Sequence, residues 1–322
     1  MASPVAAPSA IPVSPWRGLA GRDRLHAWRS NVGESVALDL APPASGSAVT
    51  SLVVLSWNLW IGRGRLTEVV GRVREMTDAP LVVLAQEAFR ADASVPHRTV
   101  ARRAAGGFPP RVVPRADIAE LAATLRLNLR YVPSMRNGTG ASDRGNAILS
   151  DLPLAQVRGF ELPFVLQRRV PLVATLAIGE DAFQIVSAHL DPRGPAGARV
   201  VGGEGRARQA RYLLERLADG LTVLGADLNL SRGKRERAWR LLHQAGFTTG
   251  VPAVHQPWRH TFHALPRLVL DYLVLRDDDG RVATASVERL DEHPRDRGAT
   301  VFGSDHHPLL ARIELKSVEG DR

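Results

Sequence analysis

Five short apolar runs constrain this chain most, because each is predicted to be a buried strand and each adjoins a polar group suited to metal binding or proton transfer. Runs of this length that are rich in Val, Leu and Ile are typical of strands buried on both faces. Polar groups at strand ends lie at the rim of a sheet, where they can converge on a cation or a phosphate without entering the core. The runs occupy residues 52–57, 81–86, 183–188, 221–226 and 308–313.

Amphipathic helices are predicted between these strands. Apolar residues recur at helical spacing in 66–76, 118–125, 207–217 and 238–245. Further strands are predicted at 146–150, 172–178 and 269–275. The short turn at 179–181, between the strand at 172–178 and the next, indicates an antiparallel hairpin. A mixed sheet with helices outside it predicts a layered α/β sandwich rather than a purely parallel sheet.

The ends of the chain differ in composition from the rest. Residues 1–15 are mostly Ala, Pro and Ser, whereas 16–40 carry Trp and Leu residues that are expected to dock on the main domain. Residues 41–47 have the composition of a linker. We therefore predict a flexible, partly docked extension over 1–48, a main domain over 49–316 and a short tail over 317–322.

The charge balance indicates a polyanionic partner. The formal net charge is +9, and all but two of the 42 basic residues are arginine. A coding bias toward Arg explains its use in place of Lys, but it does not explain the excess over Asp and Glu. The excess favours nucleic acid or an anionic lipid surface as a partner.

Composition also excludes several classes of site. The chain has no cysteine, so disulfides, thiolate zinc sites and a cysteine nucleophile are excluded. No apolar run reaches the ~18–20 residues needed to span a bilayer, and the N-terminus lacks the pattern of a secretory signal. We expect a cytoplasmic protein that is a monomer and is not inserted in a membrane.

The motif Asp227-Leu228-Asn229 follows the fourth run. Alternate residues on a strand point the same way, so both polar side chains are expected to face one site. An acid beside an amide can hold and deprotonate a water molecule while the amide orients it. The alternative is an Asx-turn or a helix cap before Ser231.

Asp305 and His306 precede the fifth run and offer a carboxylate and an imidazole. Asp271 follows an apolar stretch and could orient the His306 ring from behind, which fixes its tautomer and raises its basicity. His189, at the end of the third run, is a candidate second imidazole that neutralises or protonates a leaving oxygen. The alternative is a structural role, which is the commoner one for a lone histidine after a strand.

The candidate metal ligands are Glu87 and Asn58, at the ends of the second and first runs, together with Asp305. Hard oxygen donors without sulfur suit Mg²⁺ or Mn²⁺. The alternatives are a salt bridge from Glu87 to one of the many arginines, and a turn at Asn58 that ends the strand.

Seven short stretches resemble motifs of the endonuclease/exonuclease/phosphatase superfamily, and they follow one another in that family's order. The superfamily includes DNase I, abasic-site endonucleases, inositol polyphosphate phosphatases and neutral sphingomyelinases. They cover about residues 50–315. One departure is Asp151, where the family usually has a basic residue, so substrate contacts near that loop are expected to differ. The stretches are Leu55–Asn58, Ala85–Glu87, Gly145–Ser150, Ser187–Leu190, Gly225–Asn229, Leu270–Tyr272 and Ser304–His306.

This resemblance implies a DNase I-like, four-layer α/β sandwich with two central mixed, largely antiparallel sheets. It also implies a phosphoester hydrolase in which Mg²⁺ or Mn²⁺ is bound by Asn58, Glu87 and Asp305. Asp227 would activate water, and Asn229 would orient that water or the phosphate. The resemblance places His189 and His306 at the scissile phosphate, with Asp271 behind His306.

The substrate is left open between three alternatives. Arginine clusters at 102–103, 168–169, 206–211 and 232–240 favour a nuclease, and the alternative for each is a solvated helix face or loop. A loop with Trp258, His260, Phe262 and His263 could stack an exposed base, or it could equally pack on the edge of the sandwich. A phosphodiesterase or phosphatase for lipid head groups or inositol phosphates would need a substrate-facing apolar or head-group loop, and none is evident in the sequence. An inactive nucleic-acid-binding protein is disfavoured because every expected catalytic position is filled.

Overall fold

Two β-sheets form the centre of the molecule. The computed structural model describes residues 10–42, 49–96, 114–138, 140–178, 181–192, 203–251, 259–293 and 298–316. The strands are β1 (Val13–Ser14), β2 (Val36–Leu38), β3 (Ser51–Asn58), β4 (Leu81–Arg90), β5 (Asn128–Arg136), β6 (Asp143–Ser150), β7 (Leu154–Phe160), β8 (Leu172–Ile178), β9 (Asp181–His189), β10 (Thr222–Asp227), β11 (Asp271–Arg276), β12 (Val282–Arg289) and β13 (Leu309–Leu315).

Both sheets are mixed. A seven-stranded sheet has the order β12-β13-β3-β4-β6-β5-β2, and a six-stranded sheet has the order β1-β7-β8-β9-β10-β11. The pairs β3–β4, β9–β10 and β1–β7 are parallel, and the other pairs are antiparallel. The helices are α1 (Arg22–Arg29), α2 (Leu66–Met76), α3 (Ile118–Leu125), α4 (Gly203–Leu214) and α5 (Arg237–Gln244).

Alternation along the central strands produces four layers. Leu52 and Val54 of β3 belong to the core between the two sheets. Val53 and Leu55, which point the other way, pack with α2 and α3 on the outside of the seven-stranded sheet. The six-stranded sheet is covered on its outer face by α4 and α5. The predicted four-layer α/β sandwich is therefore confirmed.

The four predicted helices are present with small shifts at their ends. The largest shift is in α4, which begins at Gly203 and ends at Leu214, whereas the apolar pattern continues to residue 217. Beyond Leu214 the backbone tightens into a turn in which the Arg216 amide donates to the Leu213 carbonyl. Leu217 still packs against the same core, so its apolar spacing survives the end of the helix.

The segment 10–42 adds an edge strand to each sheet. Strand β1 pairs with β7 in the six-stranded sheet, and β2 pairs with β5 in the seven-stranded sheet. Of the apolar residues that were expected to dock, Leu25 is buried while Leu19 is 86% exposed. The domain boundary at residue 49 stays a prediction, but the segment before it is built into both sheets.

Candidate active site

The strand ends converge at one rim of the sandwich. In the six-stranded sheet, Asp227 stands between His189 and Asp271, and it is the register partner of both. Asn58 ends the neighbouring strand β3 of the other sheet, and its Nδ2 donates to Asp227 Oδ2 at 2.9 Å. Seven of the eight predicted residues line a cleft of about 740 Å³, and Asp271 lies behind His306.

Asp227 is the centre of a buried hydrogen-bond network. In addition to Asn58, His189 Nε2 lies 3.3 Å from Asp227 Oδ2. The Asn229 amide donates to Asp227 Oδ1 at 3.0 Å, which is the Asx-turn that the sequence left as an alternative. Strand β10 ends at Asp227, so the prediction that Asn229 lies on the same strand is wrong. Asn229 adopts a left-handed backbone with φ 53° and still reaches the cleft.

Asp271 and His306 form a tight pair. His306 Nδ1 and Asp271 Oδ2 are 2.8 Å apart, and both residues are buried. The Thr261 hydroxyl holds Asp271 in place by accepting from its backbone amide at 2.9 Å. Because Asp271 occupies Nδ1, the Nε2 atom of His306 faces the cleft, 4.0 Å from Asp227 Oδ2.

Burial and charge set different protonation states for the three central groups. Burial lowers the pKa of His306, but the carboxylate of Asp271 outweighs this and raises it to about 10. Burial, followed by the charge of Asp271, raises the pKa of Asp227 to about 7. Burial, with Arg169 and His306 nearby, lowers the pKa of His189 well below its usual value. The site thus combines a cationic imidazole at His306, a neutral imidazole at His189 and a carboxyl group, Asp227, whose pKa is about 7.

Glu87 projects into the cleft from a β-bulge. The register between β4 and β6 shifts between Ala85 and Ala88, and Glu87 has a φ of 49°. Its Oε1 lies 3.9 Å from Arg144 Nε, so the salt-bridge alternative is present as a long contact. A non-glycine residue held in this region marks local strain, which is common at functional sites.

The oxygen donors of the cleft fit a hard divalent cation. Asp305 Oδ1 is buried and has no hydrogen-bond partner. Burial raises the pKa of Asp305 to about 6, with a further contribution from the charge of Glu87. A cation between these two carboxylates would remove their repulsion and satisfy the buried oxygen. Asp227, Asp271 and His306 also cluster within 4.8 Å, but the hydrogen bond from His306 to Asp271 already uses two of their ligand atoms.

The structure contradicts part of the arginine argument. Arg168 is buried and donates to Glu161 Oε1 at 2.7 Å, and Arg206 is buried and donates to Glu236. These two arginines are therefore structural and are not part of an exposed nucleic-acid face. Arg169 is buried too, but it lines the cleft, so one arginine of the 168–169 cluster does lie at the site. Residues 102–103 lie outside the part of the chain that the structure describes.

The loop before Asp271 is divided between the two alternatives that the sequence left open, stacking at the cleft and packing on the sandwich. Phe262 lines the cleft, but His260 and His263 are buried, and Trp258 lies outside the described residues. With Phe262, three further apolar residues form one wall of the cleft: Leu265, Pro266 and Leu268. The statement that no substrate-facing apolar loop is evident is therefore wrong.

Asp151 lies at the opposite end of the seven-stranded sheet. Its Oδ2 accepts from the backbone amide of Leu81 at 2.9 Å, at the first residue of β4, whereas Glu87 lies near the other end of that strand. The expected change in substrate contacts near Asp151 is not supported by this position. Asp151 instead anchors the start of β4 and contacts Arg74 of α2.

Two mixed sheets in a four-layer sandwich, with acidic and imidazole groups at their shared rim, define a DNase I-like hydrolase architecture. The family model described as "Endonuclease/Exonuclease/phosphatase family" matches residues 55–306. The chain belongs to this family, whose members are generally phosphoester hydrolases and are typically dependent on a divalent metal ion. No curated protein sequence matches the chain significantly.

Several solved structures share the fold at low sequence identity. An endonuclease/exonuclease/phosphatase from Bacteroides vulgatus is 15% identical and superposes with a TM-score of 0.56, covering 83% of this chain and 100% of its own. The human Nocturnin catalytic domain is 15% identical, with a TM-score of 0.54 and coverage of 88% and 98%. Sphingomyelinase C from Streptomyces griseocarneus is 16% identical, with a TM-score of 0.52 and coverage of 81% and 99%. At these identities the similarity establishes the fold alone.

Among the described residues, no helix is both long enough and apolar enough to span a membrane.

Proposed function

We propose that this protein is a metal-dependent phosphodiesterase that hydrolyses a phosphodiester of nucleic acid by in-line attack of water. The observation that carries the proposal is the convergence of one connected network, from Asn58 through Asp227 to His189, with the Asp271–His306 pair and two carboxylates in a single cleft. A passive scaffold has no need to bury so many acidic and imidazole groups at one rim.

The proposed roles follow from the protonation states. Asp227, with a pKa of about 7, accepts a proton from the attacking water near neutral pH. His306 is an imidazolium, and its Nε2 stabilises negative charge on the phosphate or protonates the leaving oxygen. His189 is neutral, and Asp227 orients its ring at the same phosphate. Asp271 keeps His306 charged and fixes the direction of its ring.

Mg²⁺ or Mn²⁺ held by Glu87 and Asp305, with Asn58 beside them, would neutralise charge on the phosphate oxygens. Asn58 also positions Asp227. Its Nδ2 donates to Asp227 Oδ2, while its Oδ1 accepts from the Trp60 backbone amide at 3.0 Å. Asn58 therefore ties the proposed base, Asp227, to the backbone at Trp60, just beyond the end of β3.

A basic and aromatic region beside Glu87 supports nucleic acid as the substrate. The guanidinium of Arg63 lies 4.0 Å above the Trp60 ring, and Trp60 lines the cleft. Arg115 is exposed, but partial desolvation of its guanidinium, together with the positive charges of nearby Arg63 and Arg144, lowers its pKa. Three neighbouring guanidinium groups, beside an indole ring that lines the cleft, can neutralise a phosphate backbone and stack a base.

The apolar wall supports a second candidate, hydrolysis of a phospholipid head group. Leu265 is 87% exposed and continues the wall that Phe262 and Leu268 form inside the cleft. An exposed leucine at the mouth of a phosphoesterase cleft could enter a lipid surface. A solved structure with the same fold is a sphingomyelinase C, which makes this substrate class concrete.

One experiment compares the two candidates. Purified protein is assayed on single- and double-stranded DNA, RNA, an abasic-site duplex, sphingomyelin vesicles and inositol phosphates, with Mg²⁺, with Mn²⁺ and with EDTA. Metal-dependent cleavage of a nucleic acid that Asp227→Asn abolishes supports the proposal. Nucleic-acid binding without cleavage of any substrate would show an inactive binding protein and would overturn it.

Two matched substitutions identify the substrate surface. Arg115→Gln should lower cleavage of nucleic acid at least several-fold, whereas Arg211→Gln, on the exposed face of α4, should not. Leu265→Ser should lower cleavage of lipid vesicles, whereas Leu19→Ser, at an equally exposed leucine, should not. Activity confined to lipid and sensitive only to Leu265 would retain the mechanism and reject the nuclease assignment.

A further inference from the structure

We propose that His260, His263 and His307 form a zinc site separate from the oxygen-rich cleft, and that this site fixes the cleft loop to the segment that carries His306. The three side chains are buried, with exposures of 5%, 3% and 0%. One ring nitrogen from each lies within 4.8 Å of the others. Imidazole nitrogen suits Zn²⁺, whereas Mg²⁺ prefers the oxygen donors of the cleft.

The outer hydrogen bonds of two of these histidines leave their other ring nitrogens facing each other. His263 Nε2 lies 3.1 Å from the Gly298 carbonyl, and His307 Nδ1 lies 3.3 Å from the Leu290 carbonyl. A carbonyl can only accept, so each of these two nitrogens donates its proton away from the cluster. The opposite nitrogens, His263 Nδ1 and His307 Nε2, are only 3.3 Å apart. A cation placed beside this pair would be bound by both rings.

The spacing of these two nitrogens fits a tetrahedral metal. Zinc–nitrogen bonds of about 2.0–2.1 Å at a tetrahedral angle separate two ligand nitrogens by roughly 3.3 Å, which matches the 3.3 Å between His263 Nδ1 and His307 Nε2. His260 supplies the third imidazole, with a ring nitrogen within 4.8 Å of the other two, and water would complete the four-coordinate shell. A proton shared by the pair would also join the two nitrogens, but it gives no role to the third ring.

The outer contacts are those of metal-binding histidines. Such residues usually donate their second ring nitrogen to a carbonyl or a carboxylate, which fixes the tautomer and strengthens the ligand. His263 does this to Gly298, and His307 does so to Leu290, with Asp291 Oδ1 also 3.0 Å from His307 Nδ1. Asp291 brings a negative charge to the site, and Arg289 holds it at 2.9 Å.

The site would connect the two segments that shape the cleft. The His263 amide donates to the Asp305 carbonyl at 2.7 Å, and the His307 amide donates to the Thr261 carbonyl at 2.8 Å. Between these bonds, the Phe262 ring lies 5.0 Å from the His306 ring. A zinc ion bound to residues on both segments would therefore hold Phe262 against His306.

The test measures zinc binding, so it does not depend on hydrolysis. Full-length protein prepared without metal-affinity chromatography is stripped with chelator and titrated with Zn²⁺ by calorimetry in excess Mg²⁺, which fills the oxygen site. We expect one Zn²⁺ per chain, a rise in unfolding temperature, and strong visible absorption of tetrahedral Co²⁺ when cobalt replaces zinc. Absence of stoichiometric binding, or a weak octahedral Co²⁺ spectrum, overturns the proposal and indicates a shared proton instead.

Variants locate the site. His263→Gln and His260→Gln should each lose the tight Zn²⁺ equivalent, while His243→Gln, at an exposed histidine of α5, should retain it. Glu87→Gln should also retain it, which separates this site from the metal proposed for catalysis. If His263→Gln fails to fold, His260→Gln still decides, because it leaves the His263–His307 contact intact. Undiminished Zn²⁺ binding by His260→Gln would show that His260 is not a zinc ligand and would reject the three-histidine site.

Discussion

Two buried clusters of charged residues differ in how fully their carboxylate oxygens are hydrogen-bonded. Where the segment 10–42 contacts Glu161, both carboxylate oxygens of Glu161 accept hydrogen bonds. Oε1 accepts from Arg29 and Arg168, each at 2.7 Å. Oε2 accepts from the Trp16 backbone amide at 2.8 Å and from Arg29. At the cleft, Asp271 Oδ1 and Asp305 Oδ1 are buried without a hydrogen-bond partner. One cluster satisfies its carboxylate completely, and the other leaves oxygens unsatisfied.

The pKa values follow this difference. Burial raises the pKa of Glu161, but its bonds to Arg29 and Arg168 outweigh burial and lower it below the ordinary value. In the cleft, burial dominates and raises the pKa of Asp305, which has an unsatisfied oxygen, to about 6 and that of Asp227 to about 7. A carboxylate that is fully paired stabilises the fold, whereas one that burial holds near neutrality can exchange protons. Glu161 therefore stabilises the fold, whereas the carboxyl groups of the cleft are suited to reaction.

The largest expected effect is on turnover. Asp227→Asn should lower activity by about 10²–10⁴-fold, because the amide cannot accept a proton from water. Its free energy of unfolding at pH 8 should be unchanged or higher, since burial disfavours the ionised carboxylate in the folded state. Hydrolysis rates and urea unfolding of the same preparation test both statements. Loss of stability together with activity would show that Asp227 is structural.

The second-largest effect is expected from removal of the divalent metal ion. EDTA should abolish hydrolysis, and Mg²⁺ or Mn²⁺ should restore it, because Asp305 and Glu87 leave oxygen donors open for a cation. Glu87→Gln should raise the Mg²⁺ concentration needed for half-maximal activity by about 10-fold or more, as weakening of a ligand does. Rates that persist undiminished in chelator would refute a divalent metal at this site.

The Glu161 cluster should show the reverse behaviour. Glu161→Gln leaves buried Arg168 without its carboxylate and should reduce the free energy of unfolding by about 3 kcal/mol, with activity per folded molecule unchanged. Glu204→Gln is the control, because Glu204 is 74% exposed in its pair with Arg237 and should change stability by less than about 1 kcal/mol. Equal effects of the two substitutions would contradict a structural role for Glu161.

The smallest expected effect is on the pH dependence of stability. The pKa of Glu161 is lower in the folded chain than its ordinary value of 4.5. Its contribution is therefore complete above that value, and it is lost as the pH falls toward and through the folded-state pKa. Wild-type stability should fall more steeply below about pH 5 than that of Glu161→Gln. Parallel curves in thermal unfolding would show that Glu161 is not part of the acid response.

The strands and the polar residues at their ends were predictable, because both are local patterns. The period of apolar residues locates β3, β4, β9, β10 and β13, and a polar group at the end of a buried strand can only lie at the rim of the sheet. The motif order indicated the four-layer fold. The sequence also placed Asp271 behind His306, and the structure joins them at 2.8 Å.

Only the tertiary structure decided which charged residues form buried ion pairs and which line the cleft. Arg168 and Arg169 are neighbours in the chain, yet one pairs with Glu161 and the other lines the cleft. Composition cannot distinguish them, because burial and ion pairing depend on partners that are remote in sequence: Arg29 and Glu161 are separated by 132 positions. The bulge at Glu87 and the meeting of three histidines likewise depend on how separate segments pack. Sequence determines the elements and their polar ends, while packing determines which polar groups are satisfied and which remain reactive.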